Sequence, residues 1–172
     1  MKCSLELSEV VDGKKLLVVG NGDRATHLSH HYYENVDHIV KFNEGVKVAP
    51  HTIWAPTGIF PKKKIKPLVD KYTTESTFYF NFEGRWFPDK CQHIVAPLDW
   101  VTAAKEDLQS KMLFSGTLFL WCLLNRCSCT SIEIVGFDCY RNNTLPNPHQ
   151  KWKAKDRAWL LKEIRNLHLT PL

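Results

Sequence analysis

No apolar run in this chain is long enough to cross a bilayer. The longest, residues 112–124, is broken by Ser115, Gly116 and Thr117 and falls short of the ~20 residues a spanning helix needs. An integral membrane span is therefore not expected, and a peripheral membrane contact stays open. The N-terminal Met-Lys-Cys-Ser-Leu-Glu meets an acidic residue before any apolar stretch, so neither a secretory leader nor a membrane anchor is expected there. The six cysteines, Cys3, Cys91, Cys122, Cys127, Cys129 and Cys139, contain no Cys-x-x-Cys pair and mostly sit inside apolar runs. Reduced, packed thiols in a cytoplasmic protein follow, rather than disulfides or zinc. Gly-Lys-Ser/Thr is absent, and Gly20-Asn21-Gly22 lacks the third glycine of a dinucleotide fingerprint, which argues against a P-loop and against NAD. His27, His30, His31, His38, His51, His93 and His168 share no ligand-like spacing with carboxylates or cysteines, so they are assigned to surface or packing and no metal is expected. Repeats and low-complexity segments are also missing.

What is present fits one soluble folded domain spanning residues 1–172: 44% of residues are hydrophobic and 24% charged, enough apolar material for a core. The net charge of +5 favours anionic ligands without demanding nucleic acid, which is not an expected partner. The basic residues are spread along the chain except for one cluster, Pro61-Lys62-Lys63-Lys64. Short apolar β-rich runs at 15–19, 37–42, 52–54, 77–80, 93–95 and 131–135 alternate with helical stretches, among them a short helix from Asp23 and an almost wholly apolar one over 115–124. A final helix carries Trp152, Trp159, Leu160, Ile164 and Leu167 at helical spacing. The pattern predicts an α/β fold with a mostly parallel sheet flanked by helices.

Three loops leave the carboxyl ends of these strands with small or polar residues: Gly20-Asn21-Gly22-Asp23, Asn43-Glu44-Gly45 and Gly136-Phe137-Asp138. Ligands of open α/β sheets bind at that edge, where strand order reverses and helix N-termini point into the crevice. Glycines after the first apolar strand let an anion approach the backbone, as a phosphate requires, although a tight βα turn without function has the same composition. Ser115-Gly116 opens the apolar helix, where a serine either caps free N–H groups or bonds an anion or sugar hydroxyl. His149 precedes the final helix, whose positive end keeps an imidazole neutral and able to accept a proton; an exposed loop histidine is the plainer alternative.

In chain order, Leu17-Val18-Val19-Gly20-Asn21-Gly22, Asp37-x-x-Val40-Lys41-Phe42-Asn43, Phe114-Ser115-Gly116 with its apolar helix, Ile134-Val135-Gly136-Phe137-Asp138-Cys139-Tyr140 and then His149 together resemble sialyltransferases. Bacterial glycosyltransferase family 42 is matched best, and animal family 29 shares the outline. The resemblance runs from about residue 15 to 172, with little matched between about 49 and 111. It implies a single GT-A-like, Rossmann-type domain that takes a CMP-sugar donor and a glycan acceptor and transfers the sugar with inversion. Under it, Gly20, Asn21 and Gly22 form the donor-binding turn and Asn43 contacts the nucleotide. Ser115 and Gly116 lie around the cytidine and sugar, with Gly136, Phe137 and Asp138 under the base. Tyr140 donates to the departing phosphate and His149 is the general base. No cofactor is implied beyond the donor itself. The absence of any Asp-x-Asp pair agrees with a transferase that holds its donor without a metal. The chain departs from the pattern at Asp23, where the family has Ser or Pro, at Ala55, in place of a second nucleotide-binding asparagine, at Phe114, in place of a hydroxyl residue, and over a short 141–148 segment without a second tyrosine, where the family has a longer lid. A catalytically silent relative that binds a nucleotide or a protein partner is the alternative these departures leave open.

Overall fold

The protein was analysed as a computed structural model, which describes residues 3–20, 34–42, 51–56, 62–111, 115–136, 158–159 and 162–163. Its elements in chain order are β1 (Leu5–Glu6), α1 (Leu7–Val11), β2 (Lys15–Val19), β3 (His38–Phe42), β4 (Ile53–Ala55), α2 (Lys62–Tyr72), β5 (Phe78–Phe82), β6 (Gln92–Ala96), α3 (Leu98–Asp107), α4 (Ser115–Arg126) and β7 (Ser131–Val135). The strands form one seven-stranded sheet in the order β1-β6-β5-β4-β3-β2-β7, and every neighbouring pair is parallel. The expected α/β class, a parallel sheet flanked by helices in a Rossmann-like arrangement, is what forms.

Strand composition explains why the sheet sits between two apolar layers. Along β2 the four residues Leu16, Leu17, Val18 and Val19 are all buried, as are Ile39 to Phe42 along β3, because parallel strands covered on both faces cannot alternate apolar with polar. One face carries Leu16, Val18, Val40, Phe42, Phe80 and Ile94, packed with α1, α3 and α4. The other face presents Trp54 and Tyr79 to Ile65 and Val69 of α2. Trp54 stacks on Tyr72 at 5.9 Å and meets Tyr79 edge-on at 5.6 Å between ring centroids, the offset geometries that aromatic quadrupoles prefer.

Two stretches outside the expected helices, Lys62–Tyr72 and Leu98–Asp107, are helical. Pro67 sits inside α2, where its ring nitrogen cannot bond the carbonyl four residues back. Lys63 and Pro67 are both exposed, so the freed carbonyl lies on the solvent side of the helix, where losing its partner costs least. α3 begins directly after Pro97, its N-cap, a position that tolerates proline because the first N–H groups of a helix have no partner within it. The expected helix from Asp23 lies outside the described residues. So does most of the C-terminal one, of which 158–159 and 162–163 are helical and Trp159 packs against the main core.

Candidate functional site

Chain direction defines the site. From β2 the chain proceeds to β3 on one side, continues outward through β4, β5 and β6, and returns as β7 on the other side of β2. The reversal between β2 and β7 is the topological switch point of the sheet, and the crevice beyond the carboxyl ends of those strands is where such folds bind ligands.

Gly20 and Gly136 stand side by side at that point. Val19 and Val135 are register partners, and the Gly20 N–H donates to the Val135 carbonyl at 2.8 Å. This amide is therefore committed to the sheet and is not available to a phosphate. What Gly20 contributes is the absence of a side chain. Gly136 has φ +74°, in the left-handed region where a Cβ costs about 1–2 kcal/mol, so the turn leaving β7 is built for glycine.

The N-terminus of α4 lies at the same edge. Its far end reaches the amino edge, where the Ser128 N–H donates to Asp12 Oδ1 at 2.7 Å and the Thr130 N–H to the Lys14 carbonyl at 2.8 Å. One turn from its start, the Phe119 ring packs on Phe80 at 4.9 Å and on Phe42, the last residue of β3, at 5.7 Å. The helix thus runs antiparallel to the strands and presents its positive end to the carboxyl edge. Ser115 is the first residue of the helix rather than a residue ahead of it, and Ser115 and Gly116 are both half-buried.

Of the residues expected to form a site, the structure brings Gly20 and Gly136 together and sets Ser115 and Gly116 on the same edge. Asn21, Gly22, Asn43, Phe137, Asp138, Tyr140 and His149 lie outside the described residues, although β2, β3 and β7, which lead to the first five, all end at this edge.

Sequence reasoning passed over Lys41. It is 5% exposed and occupies the next-to-last position of β3, in register with Val19 on one side and Trp54 on the other. Its ammonium lies 4.4 Å from the centroid of the Tyr72 ring, a cation–π contact that lets the charge stay inside. A lysine in an otherwise apolar, doubly covered strand was the available signal. The ammonium points away from the carboxyl edge, toward Tyr72 at the end of α2 and His51 ahead of β4, where it helps to lower the His51 pKa.

The described histidines are structural. His38 Nδ1 lies 3.1 Å from Thr52 Oγ1, His51 Nε2 bonds the Tyr72 carbonyl, and His93 Nε2 bonds the Pro88 carbonyl at 2.7 Å. Burial is the main cause that lowers the pKa of His38 and of His51, with Lys14 and Lys41 respectively adding to it, and Asp37 opposing at His38. The five described cysteines are free. Burial pushes the Cys122 thiol up to about 12 and the Cys129 thiol to about 11, which leaves both protonated and unreactive. Among the described residues no three His, Cys, Asp or Glu side chains could hold a metal ion, and no helix is long and apolar enough to cross a membrane. Comparisons of the chain with protein-family models, curated proteins and solved structures give no match.

Proposed function

We propose that this chain is a glycosyltransferase that moves sialic acid, or a related acidic sugar, from a CMP-sugar donor to a glycan hydroxyl, with inversion and without a metal. The observation that carries this reading is the topological switch point between β2 and β7, whose carboxyl edge is where open α/β sheets bind ligands. Two side-chain-free residues, Gly20 and Gly136, adjoin one another there, and the positive end of the twelve-residue helix α4 lies at the same edge. Such an edge suits an anionic nucleotide, whose phosphate gains from helix N–H groups and whose flat base needs close approach to backbone. The order of motifs along the chain supplies the rest. On the resemblance to sialyltransferases, the imidazole of His149 takes the proton of the acceptor hydroxyl while its oxygen attacks the anomeric carbon. The bond to CMP breaks on the opposite face, and Tyr140 donates a hydrogen bond to the departing phosphate.

Calorimetric titration with CMP in EDTA is expected to give heat, and CMP-sialic acid is expected to be hydrolysed or transferred. His149→Ala should lower turnover by ~10²–10⁴-fold while CMP affinity stays largely intact, because the base acts on the acceptor. Metal-requiring, selective binding of UDP or ADP would overturn the donor assignment, and equal turnover by the variant would remove His149 from the mechanism. The short 141–148 segment favours a second reading, a silent nucleotide-binding relative, since a site without a lid shields its donor poorly from water. Bound CMP with no turnover in either protein is the outcome that reading expects.

A further inference from the structure

Beside the crevice, the same sheet edge carries a second surface. α2 follows β4, the loop 83–91 follows β5, and α3 follows β6, so the start of each adjoins the carboxyl ends of those strands. Lys62, Lys63, Lys64 and Lys66 of α2 are all exposed, and so is Arg85 of the loop. The Lys62 ammonium sits 5.3 Å from the centroid of the half-buried Trp86 ring, which joins helix to loop. The Leu98 N–H donates to Glu83 Oε2 at 3.0 Å, which joins loop to α3. Leu98 itself is 54% exposed, and it is the large hydrophobic left exposed among the described residues. Lys62, Trp86, Glu83 and Leu98 are thus linked across the carboxyl ends of β4, β5 and β6, and the exposed Lys63, Lys64, Lys66 and Arg85 belong to the same helix and loop.

The Trp86 ring accounts for Lys62, but the helix itself does not favour a run of lysines at its start. Three of them fill the first turn of α2, where the positive end of a helix disfavours cations. Glu83 and Asp99 are the carboxylates within the surface, Asp89 and Lys90 further along the loop carry opposite charges, and Asp70 lies toward the other end of α2, so the balance remains positive.

We infer that this surface docks the protein on an anionic phospholipid bilayer, with lysines 62, 63, 64 and 66 and Arg85 among the headgroups and Leu98 entering the acyl boundary. Lysine ammoniums are point charges that suit a diffuse layer of headgroups better than the fixed, bidentate geometry for which arginine is used. An exposed leucine on the same sheet edge suits a bilayer, which offers an acyl boundary beneath its headgroups, better than a soluble polyanion. The inference stands apart from the chemistry of the crevice, and docking would bring that crevice, on the same edge, toward the membrane surface.

Co-sedimentation with vesicles tests it. The whole chain should pellet with vesicles of phosphatidylcholine mixed with phosphatidylglycerol, remain in the supernatant with phosphatidylcholine alone, and be released by added salt. Replacing Lys62, Lys63 and Lys64 together by Gln should weaken partitioning on the order of 100-fold, from the contribution of each lysine near an anionic surface. Leu98→Ala should weaken it several-fold. A control, Lys14→Gln, Lys15→Gln and Arg126→Gln together, removes the same charge from exposed positions at the amino edge and should change little. All these side chains are exposed, so the fold is retained. Binding to neutral vesicles equal to that on anionic ones, equal losses in both triple variants, or capture of soluble heparin without vesicle binding would each overturn the inference.

Discussion

Two hydroxyls are buried in this protein with no hydrogen-bond partner among the described residues: Tyr79 Oη on β5 and Thr117 Oγ1 in the first turn of α4. An unbonded polar atom away from water costs about 1–3 kcal/mol, so each is a weak point in an otherwise apolar layer. The neighbour best placed to help Tyr79 is the Asn81 amide, but that side chain donates to the Trp86 carbonyl at 3.1 Å and accepts the Phe82 N–H at 2.9 Å. Burial, assisted by the nearby Cys91 thiol, raises the Tyr79 pKa, with Asn81 opposing it, so the phenol is neutral and inert at any physiological pH. Thr117, 1% exposed, keeps the shape of a valine without the benefit of one. Tyr79→Phe and Thr117→Val are therefore each expected to stabilise the protein by about 1 kcal/mol, read as a rise in the urea midpoint. A loss of stability in either would mean that the hydroxyl has a partner in the folded protein.

Among the elements, α4 ties the crevice edge to the core. Its residues from Thr117 to Leu123 are all buried, which is the mark of a helix enclosed on every side rather than laid on a surface. Phe119 is the contact that fixes its start, through edge-on packing with Phe42 and Phe80, and Trp121 fixes its middle by donating to Asp107 Oδ2 at 2.7 Å across to the end of α3. Phe119→Ala removes a fully buried ring and should cost about 3–5 kcal/mol; under the proposed function CMP affinity should fall in parallel, because Ser115 and Gly116 are one turn away. Phe119→Leu should recover most of the stability; if Phe119→Ala melts like the native protein, α4 is not held as described. The strands and this helix were legible in the sequence because their composition is extreme: a doubly covered strand is nearly all apolar, and so is an enclosed helix. Helices α2 and α3 were not. α2 shows apolar residues only at Ile65, Leu68, Val69 and Tyr72 among five lysines and an interior Pro67, and α3 buries only Trp100, Val101 and Ala104. β1 and α1, with two and five residues, are too short to display a period.

At the scale of the whole molecule, a parallel sheet is polar: all its strands end on one edge, and the candidate chemistry collects there, while the opposite edge is structural. The glycines of the site could be read from the sequence because strand ends announce themselves as apolar runs stopping at Gly20 and Gly136. The burial of Lys41 could not, since it depends on Tyr72, thirty-one positions along the chain. His38, the first residue of β3, and His51, ahead of β4, sit near the amino edge, and this gives the fold a defined response to acid. Burial lowers both imidazoles from the ordinary value of 6.5, so below that value the unfolded chain binds more protons than the folded one. Their contribution to stability is therefore whole above 6.5 and is lost as the pH falls through it toward the lower folded values. The melting temperature should be lower at about pH 5.5 than at about pH 7.5, and replacing both His38 and His51 by Gln should narrow that difference. An unchanged or higher melting temperature in acid would show that these imidazoles are solvated in the folded protein, and that the amino edge is not packed around them.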